Sequence, residues 1–273
     1  MNLGRTLLVA LCLISGLVFG ARAGVSDLTT QLRIDTLLGI LRDEGQAYGA
    51  DLEAELFPDE GGALWQAEVA RIHAPERLRP IFEADFLDAL DGTDTAPLES
   101  FYRSDLGQRV ITLELSAREA MLSPEIENAA IEARDTAFDA HNPRLEAIYR
   151  LIDSADLLEP NVVGGMNTNL AFYRAMVTGG AFPYEVTEAD MLADVAAQEP
   201  EIRAEMDSWL SAYLFLAYTP LSDSEVEEVI AFSTSEPGRA LTKALFAGFD
   251  AVFTDTSRAL GTAVARRIRS QEL

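Results

Sequence analysis

From Leu28 to the last arginines, apolar residues recur three and four apart, and nowhere do apolar and polar residues alternate for long. That spacing collects apolar side chains on one face of a helix, whereas a half-buried strand needs a period of two. Helices striped in this way must bury their stripes against one another. The expected fold is therefore all-α, a multi-helix bundle of roughly eleven helices with short connections and mostly antiparallel neighbours.

Punctuation residues divide the pattern. Ser26 can cap a helix to about Glu44, with Leu28, Leu32, Leu37, Leu38 and Leu41 buried and Gly45 as its stop; a short helix over "YGADLEAEL" follows. The loop "FPDEGG" breaks the chain, because proline cannot continue a helix and paired glycines favour the unfolded ensemble. Helices are expected from Ala63 to Ile72 and from Pro75 to Leu90. Ser123-Pro124 and Asn142-Pro143 read as cap-then-proline starts of helices ending near Ala140 and Leu158. Gly164-Gly165 within "VVGGMN" reads as a helix break, after which "NTNLAFYRAMV" resumes the pattern up to Gly179-Gly180. Thr187 with Asp190 opens the next helix, which Pro200 restarts and which runs to about Tyr218. Ser222 with Glu225 forms a capping box, and the last helix covers about 236–269.

One phrase occurs twice. Phe101, Ser104 and Gly107 in "FYRSDLGQRV" return as Phe232, Ser235 and Gly238 in "FSTSEPGRAL". Upstream, "TLLGILR" (36–42) aligns with "TNLAFYR" (168–174) at nearly the same offset. The reading is two tandem divergent repeats, residues 24–140 and 141–273, behind a leader at 1–23. Each phrase reads as a helix junction. One helix ends near the Phe, the Ser caps the next, and Asp105 or Glu236 favours the dipole of its first turn. Gly107 and Gly238 let a neighbouring group approach the backbone. The alternative is an anion site at the helix start, although the Ser and the adjacent acid already occupy that position.

An acidic helix start, Phe-x-x-Ser-x-x-Gly and a long amphipathic helix, behind a signal peptide, resembles the bacterial family catalogued as domain of unknown function 2059. The match is best over "YTPLSDSEVEEVIAFSTSEPGRALTKAL" (218–245) and more divergent around 96–110. The resemblance implies an exported helical protein. It implies no activity and transfers no catalytic residue.

The leader reading rests on Arg5, the apolar run "TLLVALCLISGLVFG" and Ala21-Arg22-Ala23, with cleavage expected after Ala23. The run is about 15 residues, short of the roughly 20 that cross a membrane. An uncleaved anchor is the alternative. Cys12 is the only cysteine and goes with the leader, so the mature chain has no thiolate, disulfide or cysteine-based metal chemistry. A periplasmic or secreted protein with no membrane span is expected. The net charge of −24, from 45 acids against 21 lysines and arginines, repels phosphate backbones and argues against a nucleic-acid partner.

Chemistry-bearing motifs are sparse. His73 and His141 stand alone, which is too little for zinc. "DALDGTDT" (88–95) puts Leu87 and Ala89 where an EF-hand needs ligands. There is no nucleophile elbow, phosphate loop or dinucleotide fingerprint. No catalytic, metal-binding or cofactor-binding residue is assigned, and no cofactor is expected. Asp250, within "FAGFDAVF", is expected on the outer face of its helix, and the arginines of "ARRIRSQEL" as complements to a helix dipole. Phe246, Phe249 and Phe253 form a stripe at helical spacing, and Trp209 and Tyr213 crowd the preceding long helix. These aromatics are either core or the walls of a groove for an apolar ligand or a partner helix. The leading functional expectation is a non-catalytic exported protein that binds an envelope protein or a small apolar ligand. The alternatives are a cofactor-free hydrolase with paired carboxylates and a purely structural helical spacer.

Overall fold

The computed structural model describes residues 28–58 and 61–271; the leader at 1–23 and the cap at Ser26 lie outside the described residues. Among the described residues there is no strand. After one helical turn over 28–31, twelve helices follow: α1 (Ile34–Leu56), α2 (Gly62–Ile72), α3 (Pro75–Leu90), α4 (Ala96–Arg103), α5 (Asp105–Ala120), α6 (Pro124–Asp139), α7 (Pro143–Ser154), α8 (Leu158–Thr178), α9 (Glu188–Ala197), α10 (Glu199–Tyr218), α11 (Asp223–Ser233) and α12 (Glu236–Gln271). The protein is an all-α multi-helix bundle. No helix among the described residues is long and apolar enough to cross a membrane.

Local chemistry explains most boundaries. The capping boxes at Thr187/Asp190 and Ser222/Glu225 are both formed, each satisfying two backbone N–H groups. Asn142 accepts from the N–H of Arg144, while Ser123 donates to Glu125 instead of capping the backbone. Helices α6, α7 and α8 each end with a residue at positive φ, His141, Asp156 and Gly180. In each the next N–H reaches back five residues: Asn142 to Ala137, Leu157 to Ile152 and Ala181 to Met176. That closure satisfies carbonyls the helix end would otherwise leave open.

Three expectations are corrected. Gly45 does not stop the first helix, because α1 continues to Leu56 and absorbs the separate segment "YGADLEAEL". Gly45 and Gly49 lie where α2 crosses: a Cβ at Gly45 would sit 2.2 Å from His73 Cδ2, and one at Gly49 2.6 Å from Val69 Cγ1. The second helix of the cap-then-proline pair ends at Ser154, not near Leu158, because Asp156 takes the left-handed conformation that Asp and Asn tolerate. Gly164-Gly165 does not break α8; tertiary packing outweighs the roughly 1 kcal/mol that each glycine costs a helix.

The core has three centres. One surrounds α10, with Leu210 and Leu214 from α10, Ile148 and Ile152 from α7 and Val226 from α11. A second joins Leu38 of α1 and Phe82 and Phe86 of α3 to Leu245 and Phe249 of α12. The third gathers Trp65 and Val69 of α2 with Phe172 of α8 and Leu260 and Val264 of α12. Each centre draws from both sides of residue 140. The long helix α12 packs along α8 and α3, while α10 packs on α5, α6, α7 and α8.

Candidate functional site

Helices α8 and α12 run against each other along most of their length, yet their contact opens into a cavity of about 250 Å³. Its walls are Phe246, Phe249 and Phe253 of α12, Met206 of α10, and Pro160 and Val163 of α8. Asn161, Asn167, Thr168 and Asp250 contribute polar atoms, and Gly164, Gly165 and Ala247 keep the walls low. A Cβ at Gly164 would meet Asp250 Oδ1 at 3.6 Å, so any longer side chain there would enter the space. The aromatic stripe lines one wall because 246, 249 and 253 repeat at three and four.

Asp250 departs from its expected place on the outer face. Its carboxylate is half-buried at the cavity wall and accepts from the Asn167 amide at 3.2 Å. Asp250 also borders a more open depression lined by Asp85 and Asp88 of α3 and by Asp255 and Arg258 of α12. Arg77 and Arg258 both pair with Asp255. Among the described residues no group of three or more acids, histidines and cysteines is arranged to hold a metal.

Trp209 and Tyr213 do not join this cavity. They stack with centroids 5.0 Å apart in the contact of α10 with α5. The Arg118 guanidinium lies 5.4 Å from the Trp209 ring centre and makes two 2.9 Å bonds to Glu44. Tyr213 donates to the Glu114 carbonyl and Tyr218 to the Glu114 carboxyl. Glu114 is fully enclosed, with Oε2 unpartnered among the described residues. Burial pushes its carboxyl up to about 8, against the smaller downward pull of the Tyr218 bond. With no opening to solvent, this group serves the core.

The two copies of the repeated phrase form the same junction. Ser104 accepts from the Gly107 N–H at 3.1 Å and donates to the Phe101 carbonyl at 2.6 Å. Ser235 does the same with Gly238 and Phe232, at 3.1 and 2.6 Å. Phe101 and Phe232 stack face to face. Each Ser hydroxyl takes one N–H of its helix start, and Asp105 or Glu236 stands in the same first turn.

The histidines have separate places. His73 is buried, and its Nδ1–H donates to the Val69 carbonyl at 2.9 Å, so the neutral ring keeps its proton there. Burial lowers its pKa. His141 is exposed in the turn after α6. "DALDGTDT" closes α3 and leads to α4, with Gly92 at φ 75° and Asp94 accepting from the Ala96 N–H. The C-terminal arginines fasten α12: Arg266 pairs with Glu68 at 3.0 Å, and Arg267 donates to the Gly61 carbonyl at 2.8 Å.

No protein-family model, curated protein or solved structure matches the chain.

Proposed function

We propose that the chain is a non-catalytic, exported binding protein of the bacterial envelope, and that the cavity between α8 and α12 holds a small apolar ligand. The supporting observation is the cavity itself. Three phenylalanines and a methionine border about 250 Å³ in a pocket partly open to solvent. A cavity of roughly 150 Å³ already holds a benzene ring, so this one suits a ring or a short branched chain. It lies between helices of a bundle, where ligand sites are commonly built.

The duplication read from the sequence belongs to this proposal. It is supported by the matching hydrogen bonds at the two junctions. It is also supported by reciprocal packing, α5 against α10 and α12 against α3. On this reading the helix that follows each junction packs against the other copy. The resemblance of 218–245 to the exported family of unknown function agrees with envelope localisation and adds no activity.

Two measurements test the proposal. Titration with the neutral apolar fluorophore N-phenyl-1-naphthylamine is expected to give saturable 1:1 enhancement in the wild type and none in a folded Gly164→Phe variant. Lack of saturation in the wild type contradicts the ligand reading. N-terminal sequencing of protein from the periplasmic or secreted fraction is expected to begin at Gly24; protein found only in the cytosol, beginning at Met1, contradicts export.

A further inference from the structure

We infer that the ligand of the α8–α12 cavity is a small organic ammonium ion, its apolar body among the phenylalanine rings and its charged nitrogen against Asp250; this rests on the cavity being a ligand site.

Charge complementarity carries the inference. Among the described residues Asp250 is the only charged one on the cavity wall, and neither lysine nor arginine lines it. Its carboxylate has one neutral donor, the Asn167 amide at 3.2 Å, and makes no ion pair among the described residues. The groups facing it leave that charge uncompensated. Helix α8 offers Gly164 and Asn167. The outer depression adds the exposed carboxylates of Asp85 and Asp88 from α3. Arg258, which lines that depression, and Arg77 both pair with Asp255. A half-buried carboxylate without a countercharge favours a cationic partner, and part-exclusion of water strengthens that attraction.

The aromatic wall fits the same head group. Phe249 and Phe253 lie 6.0 Å apart, centre to centre, beside Phe246 at the same cavity. An ammonium group is drawn to ring faces as well as to carboxylates. An anionic ligand would meet Asp250 and, beyond it, Asp85 and Asp88. A neutral one would leave the carboxylate partly desolvated with no gain in return. The cavity therefore combines an apolar floor with a one-sided electrostatic mouth.

The test compares three probes that share one apolar body: 3-phenylpropylamine, 3-phenylpropan-1-ol and 3-phenylpropanoate. Binding to the full mature chain is measured by calorimetry at neutral pH and physiological salt, for the wild type and for Asp250→Asn. The amine is expected to bind at least tenfold more tightly than the alcohol, and the carboxylate more weakly than either. In Asp250→Asn the amine is expected to fall to within about twofold of the alcohol. Equal binding of amine and alcohol to the wild type overturns the ammonium assignment while leaving an apolar ligand site. Amine preference that survives in Asp250→Asn also overturns it, placing the effect in the overall negative charge. Absence of binding by all three overturns the ligand site itself. Asp250 is partly exposed and its one side-chain bond among the described residues is to an exposed asparagine, so the variant is expected to fold; circular dichroism and an unchanged urea midpoint check this.

Discussion

Phe101 and Phe232, 131 positions apart in the chain, stack with ring centroids 3.7 Å apart and planes 5° from parallel. Each ring lies near the end of a short helix; the Phe carbonyl accepts from the Ser hydroxyl, which in turn accepts from the Gly N–H of the next helix. The stack joins the α4–α5 junction to the α11–α12 junction. A double-mutant cycle with Phe101→Leu and Phe232→Leu, followed by urea denaturation, is expected to give a coupling energy of about 1 kcal/mol. Strict additivity would mean that the rings touch without supporting each other.

The glycines of the two junctions are set by distance. A Cβ at Gly107 would lie 2.1 Å from the Phe101 carbonyl oxygen, and one at Gly238 2.2 Å from that of Phe232. Backbone cannot swing aside as a side chain does. Gly107→Ala and Gly238→Ala are each expected to destabilise the fold by about 1–3 kcal/mol. Gly39 is the control: nothing lies within 4 Å of its Cβ position, and Gly39→Ala is expected to stabilise α1 by up to about 1 kcal/mol. Denaturation midpoints read all three.

Glu114 ties stability to pH. An unfolded glutamate titrates near about 4.3, whereas burial raises this one to about 8. Between those values the folded state holds a proton that the unfolded state has lost. Stability is therefore greatest, as far as this group goes, below about pH 4.5, and falls as pH rises toward 8. The slope approaches about 1.4 kcal/mol per pH unit. Glu114→Gln keeps the shape without the titration. The stability difference between variant and wild type, followed from pH 5 to 9 by urea denaturation, is expected to grow in the variant's favour up to about pH 8 and to level off above it; a pH-independent difference would contradict the buried-acid assignment.

Arg118 shows the opposite use of a buried charge. Its side chain is 2% exposed and Glu44 supplies the countercharge. Removing Glu44 leaves a guanidinium in the core, so Glu44→Ala is expected to cost about 3–5 kcal/mol. Asp43 pairs with Arg42 at the surface, both about half exposed, and Asp43→Ala is expected to change stability by less than about 1 kcal/mol. Thermal unfolding of the two variants side by side separates the cases.

The helical class and most helix starts are legible in the sequence because caps, prolines and three-four spacing act locally. Thr187, Asn142 and Ser222 needed no tertiary knowledge. Two of the misreadings share one cause, glycines that serve packing between helices. Gly45 and Gly164 carry the same local signal as a helix stop, and only the approach of His73 or Asp250 shows otherwise. Of the five aromatics read as one groove, Phe246, Phe249 and Phe253 line the cavity while Trp209 and Tyr213 face α5, because spacing sets a helix face but not its neighbour. Glu114 and Arg118 did leave a trace. They fall on the apolar stripe of Val110, Ile111 and Leu115, where charge must find a partner or lose its ionisation.

The most direct measurement of ligand carriage is native mass spectrometry of the protein as purified gently from its own host, beside Gly164→Phe prepared identically. The expected result is a wild-type population carrying one small organic adduct, released at modest collision energy and missing from the folded variant. A wild type found only at its sequence mass, or an adduct that persists when the cavity is filled, would contradict a ligand held between α8 and α12.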